Sequence, residues 1–258
     1  MSEVHSTAII HPGAKIGAQV KIGPYAVIGP KVTLMDRVEV MSHAVVDGRT
    51  VVGEGTRIWP FASVGSTPQD LKYRGEDSEL HIGKNNMIRE YCNISLGTEG
   101  GGNKTVIGDG NLFMCFTHVA HDCMIGNECI FANGATLAGH VIVSDKTVLG
   151  GLSAVHQFCR LGELSMIAGG AMVAQDVPPF CMVHGDRATI NGLNVVGLRR
   201  LGLKDERMEA VKTMYRLLYK ENLTLDDAKA AIARDVMESR ERSVFLGFLN
   251  ESSRGVVR

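Results

Sequence analysis

Aromatic residues are scarce in this chain, with one Trp, five Tyr and eight Phe in 258 residues. The length is enough to bury a sizeable core, yet the rings that usually anchor one are few. Long hydrophobic runs are missing as well. The longest apolar or Gly stretch, Met166 to Ala174, has nine residues, against roughly 18 for a membrane-spanning helix, so no integral membrane segment is expected. The opening Met-Ser-Glu-Val-His-Ser carries acid where a signal peptide carries base, and a cytoplasmic location is expected. Six Cys include no C-x-x-C pair, and a chain of this size in a reducing compartment needs no disulfide framework. Neither sign of charge dominates, at 27 Lys and Arg against 28 Asp and Glu, so no nucleic-acid partner is implied. The imbalance is local. Residues 1–188 hold 14 bases and 18 acids and residues 189–258 hold 13 and 10, so the C-terminal part suits an acidic partner.

Glycine is what abounds, at 30 residues. It lacks the three-residue period of collagen, but another period is present. Ile10, Ile16, Ile22, Ile28, Leu34, Val40, Val46, Val52, Ile58 and Val64 recur every six residues. The spacing resumes at Ile82, Ile88 and Ile94, and again from Ile107 to Val173; 23 of these 25 positions are Ile, Leu or Val. The fourth residue after each is small, as at Ala26, Ala44 and Cys123, with Asn86 and Asn111 as exceptions. Gly often follows the aliphatic residue, as at Gly17, Gly23, Gly53 and Gly126. A helix would scatter every sixth residue around its surface. Short strands joined by tight turns would not: the aliphatic residue points into a narrow interior, the small one sits near a corner, and Gly supplies the turn conformation. Four Cys occupy the small inward position and are expected to act as buried hydrophobes. The pattern resembles the hexapeptide-repeat transferases. That resemblance implies a mainly β fold, a left-handed parallel β-helix with three hexapeptides per turn, about eight turns and roughly 40 Å long at the ordinary strand spacing.

Two stretches leave the register. Residues 66–81 carry an Asp-x-Lys, and residues 98–105 are Gly-rich and expected to be flexible; loops on a rigid scaffold commonly carry binding groups. After Val177-Pro178-Pro179 the pattern becomes helical, with Asp205 and Thr224 read as caps. The division expected is a β-helix over 1–188 and a helical domain over 189–258, which also closes one end of the solenoid.

Applying the period to the nine His aligns several of them. Val119, Leu137 and Val155 are one turn apart, so His121, His140 and His156 fall near one edge on successive turns, with His118 beside them. Such a column suits general-base chemistry, since a neutral imidazole near pH 7 accepts a proton readily. Three His can also hold a metal, as in a hexapeptide-repeat carbonic anhydrase; the staggered spacing and the adjacent Asp122 favour no metal here.

The local sequences are more specific. His118-Val119-Ala120-His121-Asp122-Cys123, Leu137-Ala138-Gly139-His140, Ala154-Val155-His156-Gln157-Phe158-Cys159, Gln69-Asp70-Leu71-Lys72-Tyr73 and Ala174-Gln175-Asp176-Val177-Pro178-Pro179 together resemble the UDP-N-acetylglucosamine O-acyltransferase family of lipid A synthesis, over essentially the whole chain. The resemblance implies a homotrimer without a cofactor. It would transfer an R-3-hydroxyacyl group from acyl carrier protein to the 3-hydroxyl of UDP-N-acetylglucosamine, the first step of that synthesis. It makes His121 the base, with Asp122 assisting and the Gly139 N–H facing the oxyanion. It makes Gln69, Asp70, Lys72, His118, His140, His156, Gln157, Asn194 and Arg200 substrate contacts. Met166, Gly169 and Gly170 would set acyl-chain length, Gly169 leaving room for a long chain. The basic surplus of the helical domain, including Arg199, Lys204, Arg207, Lys212, Arg216 and Lys220, suits the acidic carrier.

The chain also departs from the family at Ser95, Leu96, Val196 and Leu201, positions expected near the nucleotide. A 3-amino sugar nucleotide therefore stands as an alternative acceptor, beside another hexapeptide-repeat N-acyltransferase and, in a different class, the metal-dependent carbonic anhydrase.

Overall fold

A computed structural model describes residues 2–258. Most of the strands hold only two residues, and strands about one coil apart pair in parallel. Val27–Ile28 pairs with Val45–Val46, and His118–Val119 pairs with Thr136–Leu137, which pairs in turn with Ala154–Val155. The coil thereby builds three walls, sheets of eleven, nine and eight strands. From Ile22 to Val173 every register aliphatic or Phe is buried, while Ile10 and Ile16 at the open end are half-buried. Each fully buried aliphatic side chain contributes about 1.5–3 kcal/mol of transfer free energy, so repetition replaces the bulk of an aromatic core.

The two exceptions at the small position are satisfied by one another. Asn86 Nδ2 donates to Gly108 O at 2.9 Å, and Asn111 Nδ2 donates to Asn86 Oδ1 at 3.0 Å. Asn111 Oδ1 accepts the Cys129 N–H at 2.8 Å. Full burial of both amides is tolerated because their donors and acceptors find partners.

The expectation that Gly supplies the turn conformation is overturned at the repeat glycines. Gly17, Gly23, Gly53 and Gly126 are required for clearance: a Cβ on Gly53 would lie 2.3 Å from Gly83 O, and one on Gly126 would lie 2.8 Å from Asp145 N. The left-handed corners fall mostly to larger residues, among them Tyr25, His43, Phe61, Asp122, His140 and Phe158, with φ between 58° and 65°. Such a conformation costs an L-residue roughly 1–2 kcal/mol. A recurring bond offsets it. The corner N–H donates to a carbonyl one coil back, His140 N–H to His121 O at 3.0 Å and Phe158 N–H to Gly139 O at 3.2 Å. Corner side chains therefore stack in columns. Tyr25, His43, Phe61, Tyr91 and Phe116 form one, with successive ring centroids 4.9–5.2 Å apart.

The sheet continues past residue 188, where the sequence placed the boundary, because Thr189–Leu193 pairs antiparallel with Cys181–His184. Helices follow: α1 (Val195–Arg200), α2 (Asp205–Tyr219), α3 (Leu225–Asp235) and α4 (Arg240–Glu251). Thr224 caps α3 as expected, accepting the Asp227 N–H at 3.1 Å while its hydroxyl donates to the Asp227 carboxylate at 2.6 Å. Asp205 is not a cap: it is the first residue of α2, following Lys204, and its carboxylate serves the helix dipole instead. Met208, Val211, Leu218, Ala228, Ile232, Phe245 and Leu249 pack together against Leu164 and Phe180 of the prism. Arg240 clasps Glu163 on the prism through two bonds of 2.9 and 2.8 Å. The chain end returns to the β-helix, where Ser252 donates to Asp176 at 2.6 Å.

Candidate active site

Asp122, His140 and Phe158 follow one another at eighteen-residue intervals and occupy one left-handed corner on successive coils. His140 stacks on Phe158 with ring centroids 4.5 Å apart, and meets His121 edge-on at 5.1 Å. His121 precedes the corner and turns its Nδ1 to Asp122 Oδ2 at 2.7 Å. That bond leaves Nε2 as the ring's outward nitrogen. Only 14% of the His121 side chain is exposed, and 1% of Asp122.

The carboxylate has further partners that the sequence did not reveal. Thr98 N–H donates to Asp122 Oδ1 at 2.8 Å, and the Thr98 hydroxyl donates to Oδ2 at 2.6 Å. Asp122 N–H, which on a regular coil would reach a carbonyl, donates to Thr105 Oγ1 at 2.8 Å. The Gly-rich stretch 98–105 is thus folded back on the corner through a short 3-10 turn at Glu99–Gly101, contrary to the expected flexible loop.

Gly139 is buried beside the His121 ring. A Cβ there would stand 2.5 Å from His121 Cε1 and 2.8 Å from Nε2, so the absence of a side chain is what admits the imidazole. Among the described residues no acceptor takes the Gly139 N–H. A base nitrogen and an unpaired buried N–H therefore lie side by side, the juxtaposition that acyl transfer needs.

The loop between Ser66 and Glu79 approaches from one side. Lys72 N–H donates to Asp70 Oδ1 at 2.9 Å and is the main reason that carboxyl lies below its usual range. His121, Lys72 and His140 add to the effect, so Asp70 lies within electrostatic reach of both imidazoles, and Lys72 within reach of His140. Gln69 and Lys72 are exposed. Burial pushes the His118 imidazole below its usual value, with His121 adding repulsion, and burial does the same to His140, opposed by Asp122. Both are therefore neutral donors or acceptors near pH 7. His156 and Gln157 are exposed on the next coil, His156 Nδ1 lying 3.1 Å from Gln157 O.

Met166 is half-buried, and Gly169 and Gly170 are exposed. A Cβ on Gly169 meets only the backbone of Gly151, its O at 3.4 Å and its N at 3.9 Å, so a longer side chain would project into open space. Asn194 is engaged within the subunit: its Oδ1 accepts the Gly197 N–H at 2.9 Å as the cap of α1, and its Nδ2 donates to Leu164 O at 2.9 Å. Arg200 is exposed at the end of α1. Of the departures, Ser95 and Leu96 are buried, whereas Val196 and Leu201 face solvent.

The ligating atoms of His121, Asp122 and His140 lie within 4.8 Å of one another. A cation there would displace the His121 and Thr98 donors from Asp122 Oδ2, and His156 is not part of the cluster. Cysteine chemistry is also disfavoured, since burial pushes the thiols of Cys92, Cys123 and Cys129 up to about 12.

The family model described as UDP-N-acetylglucosamine O-acyltransferase domain 2 matches residues 176–257, and the bacterial transferase hexapeptide model matches 1–36 and 104–139. A Helicobacter pylori acyl-carrier-protein-dependent UDP-N-acetylglucosamine O-acyltransferase is 52% identical over 99% of this chain and 94% of its own. The chain belongs to the UDP-N-acetylglucosamine O-acyltransferase family. The Verminephrobacter eiseniae relative of the same name is 49% identical over the full length of both chains. The solved structure of the Acinetobacter baumannii family member superposes with a TM-score of 0.96 at 42% identity, covering 99% of both chains. The acyltransferase prism is accordingly the left-handed parallel β-helix of that family. No helix among the described residues is long and apolar enough to cross a membrane.

Proposed function

We propose that this acyltransferase moves an R-3-hydroxyacyl group from acyl carrier protein to the 3-hydroxyl of UDP-N-acetylglucosamine, the first step of lipid A synthesis. The observation that carries the mechanism is the pairing of an Asp-bonded His121 with the unpaired Gly139 N–H beside it. The sugar oxygen attacks the thioester carbonyl as His121 Nε2 takes its proton. Asp122 holds the ring in the tautomer with Nδ1–H and stabilises the imidazolium that forms. The carbonyl oxygen becomes an anion facing the Gly139 N–H. Collapse of the tetrahedral intermediate breaks the C–S bond, and the imidazolium proton goes to the departing thiolate. No residue is acylated and no cofactor is required.

In this reading Gln69, Asp70, Lys72, His118, His140, His156 and Gln157 position the sugar, phosphates and acyl chain, while Asn194 and Arg200 face the nucleotide. Asn194 contributes there through the amide hydrogen its internal bonds leave over. Leu71, 96% exposed between Asp70 and Lys72, together with the exposed corner rings, supports burial of these surfaces between subunits of a trimer. Arg207, Lys212 and Arg216 are paired with Glu241, Glu209 and Glu221, so carrier docking rests more on Arg199, Lys204 and Lys220.

The test supplies purified protein with a long-chain 3-hydroxyacyl carrier protein and either UDP-N-acetylglucosamine or its 3-amino analogue. Ester formation is expected, with His121→Ala lowering kcat by roughly 10²–10⁴ in a still-folded protein. Near-normal turnover by that variant removes His121 from the base role. Turnover of the amino analogue alone replaces the ester assignment with an amide.

A further inference from the structure

The Gly-rich stretch 98–105 makes its side-chain bonds to the group behind the His121 ring, the Asp122 residue, through Thr98 and Thr105. Its two ends both hold Asp122. Thr98 supplies two of the carboxylate's donors and Thr105 receives the backbone N–H. Asn103 N–H and Gly101 N–H return to Thr98 O at 2.7 and 3.0 Å, closing the segment into a compact turn. That turn lays Gly101 against the carboxylate, where a Cβ would fall 2.0 Å from Asp122 Cγ and 2.3 and 2.4 Å from its oxygens. At the neighbouring Gly100 a Cβ would meet nothing within 4 Å. Neither residue has the positive φ that would itself exclude a side chain, so the pair differs only in what lies beside it.

We propose that segment 98–105 is a clamp on the Asp122 carboxylate, in which the Thr98 hydroxyl and the side-chain-free face of Gly101 are positioning elements for the reaction. The inference rests on the reading of His121 as base. Its physical content is competition for one oxygen. Asp122 Oδ2 accepts from both the Thr98 hydroxyl and His121 Nδ1, so the hydroxyl fixes the carboxylate rotamer and also tempers its attraction for the imidazolium. Gly101 seals the far side of the carboxylate from water, which keeps both bonds strong.

The experiment compares Thr98→Val, Thr98→Ser, Gly101→Ala, Gly100→Ala and His121→Ala in the full-length protein, measuring kcat, KM and the pH dependence of kcat/KM. The imidazole of His121 is followed in parallel by NMR titration. Thr98→Val is expected to lower kcat roughly tenfold to a hundredfold with little change in KM, because a small misplacement of the base costs that much. Its acidic limb and its NMR titration should both move to higher pH, since the unshared carboxylate binds the imidazolium more tightly. Thr98→Ser should restore the rate and the profile. Gly101→Ala should lower kcat while Gly100→Ala matches the wild type. Equal behaviour of Gly101→Ala and Gly100→Ala, or a slower Thr98→Val whose pH profile and NMR titration stay in place, overturns the clamp. Should Gly101→Ala fail to fold, the Thr98 pair decides alone. High activity in His121→Ala instead overturns the base assignment, separately from the clamp, whose NMR prediction for Thr98→Val still stands or falls by itself.

Discussion

Gly139 and His118 show how single positions acquire meaning from the coil above or below. Gly139→Ala keeps the N–H but brings a methyl against the His121 ring, where a Cβ lies 2.5 Å from Cε1. The variant is expected to lose roughly a hundredfold in kcat, with its circular dichroism spectrum unchanged, because the base is pushed off its line of attack. His118 makes a prediction about stability. Burial lowers its folded value below the ordinary 6.5, so between those two pH values the unfolded chain binds the extra proton. Stability from this group is therefore full above about pH 6.5 and lost as pH falls through that window, at no more than about 1.4 kcal/mol per pKa unit. Thermal melts from pH 7.5 to 5 should show a shallower acid decline in His118→Asn than in the wild type.

At the level of elements, the corner columns matter more than individual strands. The six-residue period gives the walls, because one aliphatic per strand must face inward for any coil to close. The register residues Ile22 to Val173 were legible for that reason. The partners of Asp122 were not legible, because an insertion has no period and its path back to the corner is set by bonds from Thr98 and Thr105 that no spacing announces. Phe158 carried a usable signal, standing eighteen residues after His140 and thirty-six after Asp122, a spacing that only matters once the left-handed corner is known. The strand ending at Ile167 leads into Gly169, where a side chain has open space in front of it. Gly169→Met is expected to fold normally and to transfer a shorter 3-hydroxyacyl chain in preference to a long one, read by competition between carrier proteins of two chain lengths.

For the whole molecule, the helical cap and the prism are joined by buried apolar surface and by the Glu163–Arg240 pair. Glu163 is 8% exposed, so removing its partner strands a buried carboxylate. Arg240→Ala should destabilise the protein by roughly 1–2 kcal/mol in denaturant titrations, a figure reduced because more than half of the Arg240 side chain reaches solvent. A broadened or biphasic transition would show the helices separating from the prism before the prism unfolds.

The sequence by itself determined the coil, its inward residues, the adjacency of His121 and Asp122 and the membership of a family, since all of these depend on local spacing or on short runs of residues. Tertiary structure decided the rest. It made the repeat glycines a matter of clearance between coils, gave the left-handed corners to His140, Asp122 and Phe158, and turned a Gly-rich insertion into a support for the carboxylate. Those outcomes depend on which atoms lie one coil away, a distance of a few ångströms in space that corresponds to seventeen to thirty residues along the chain.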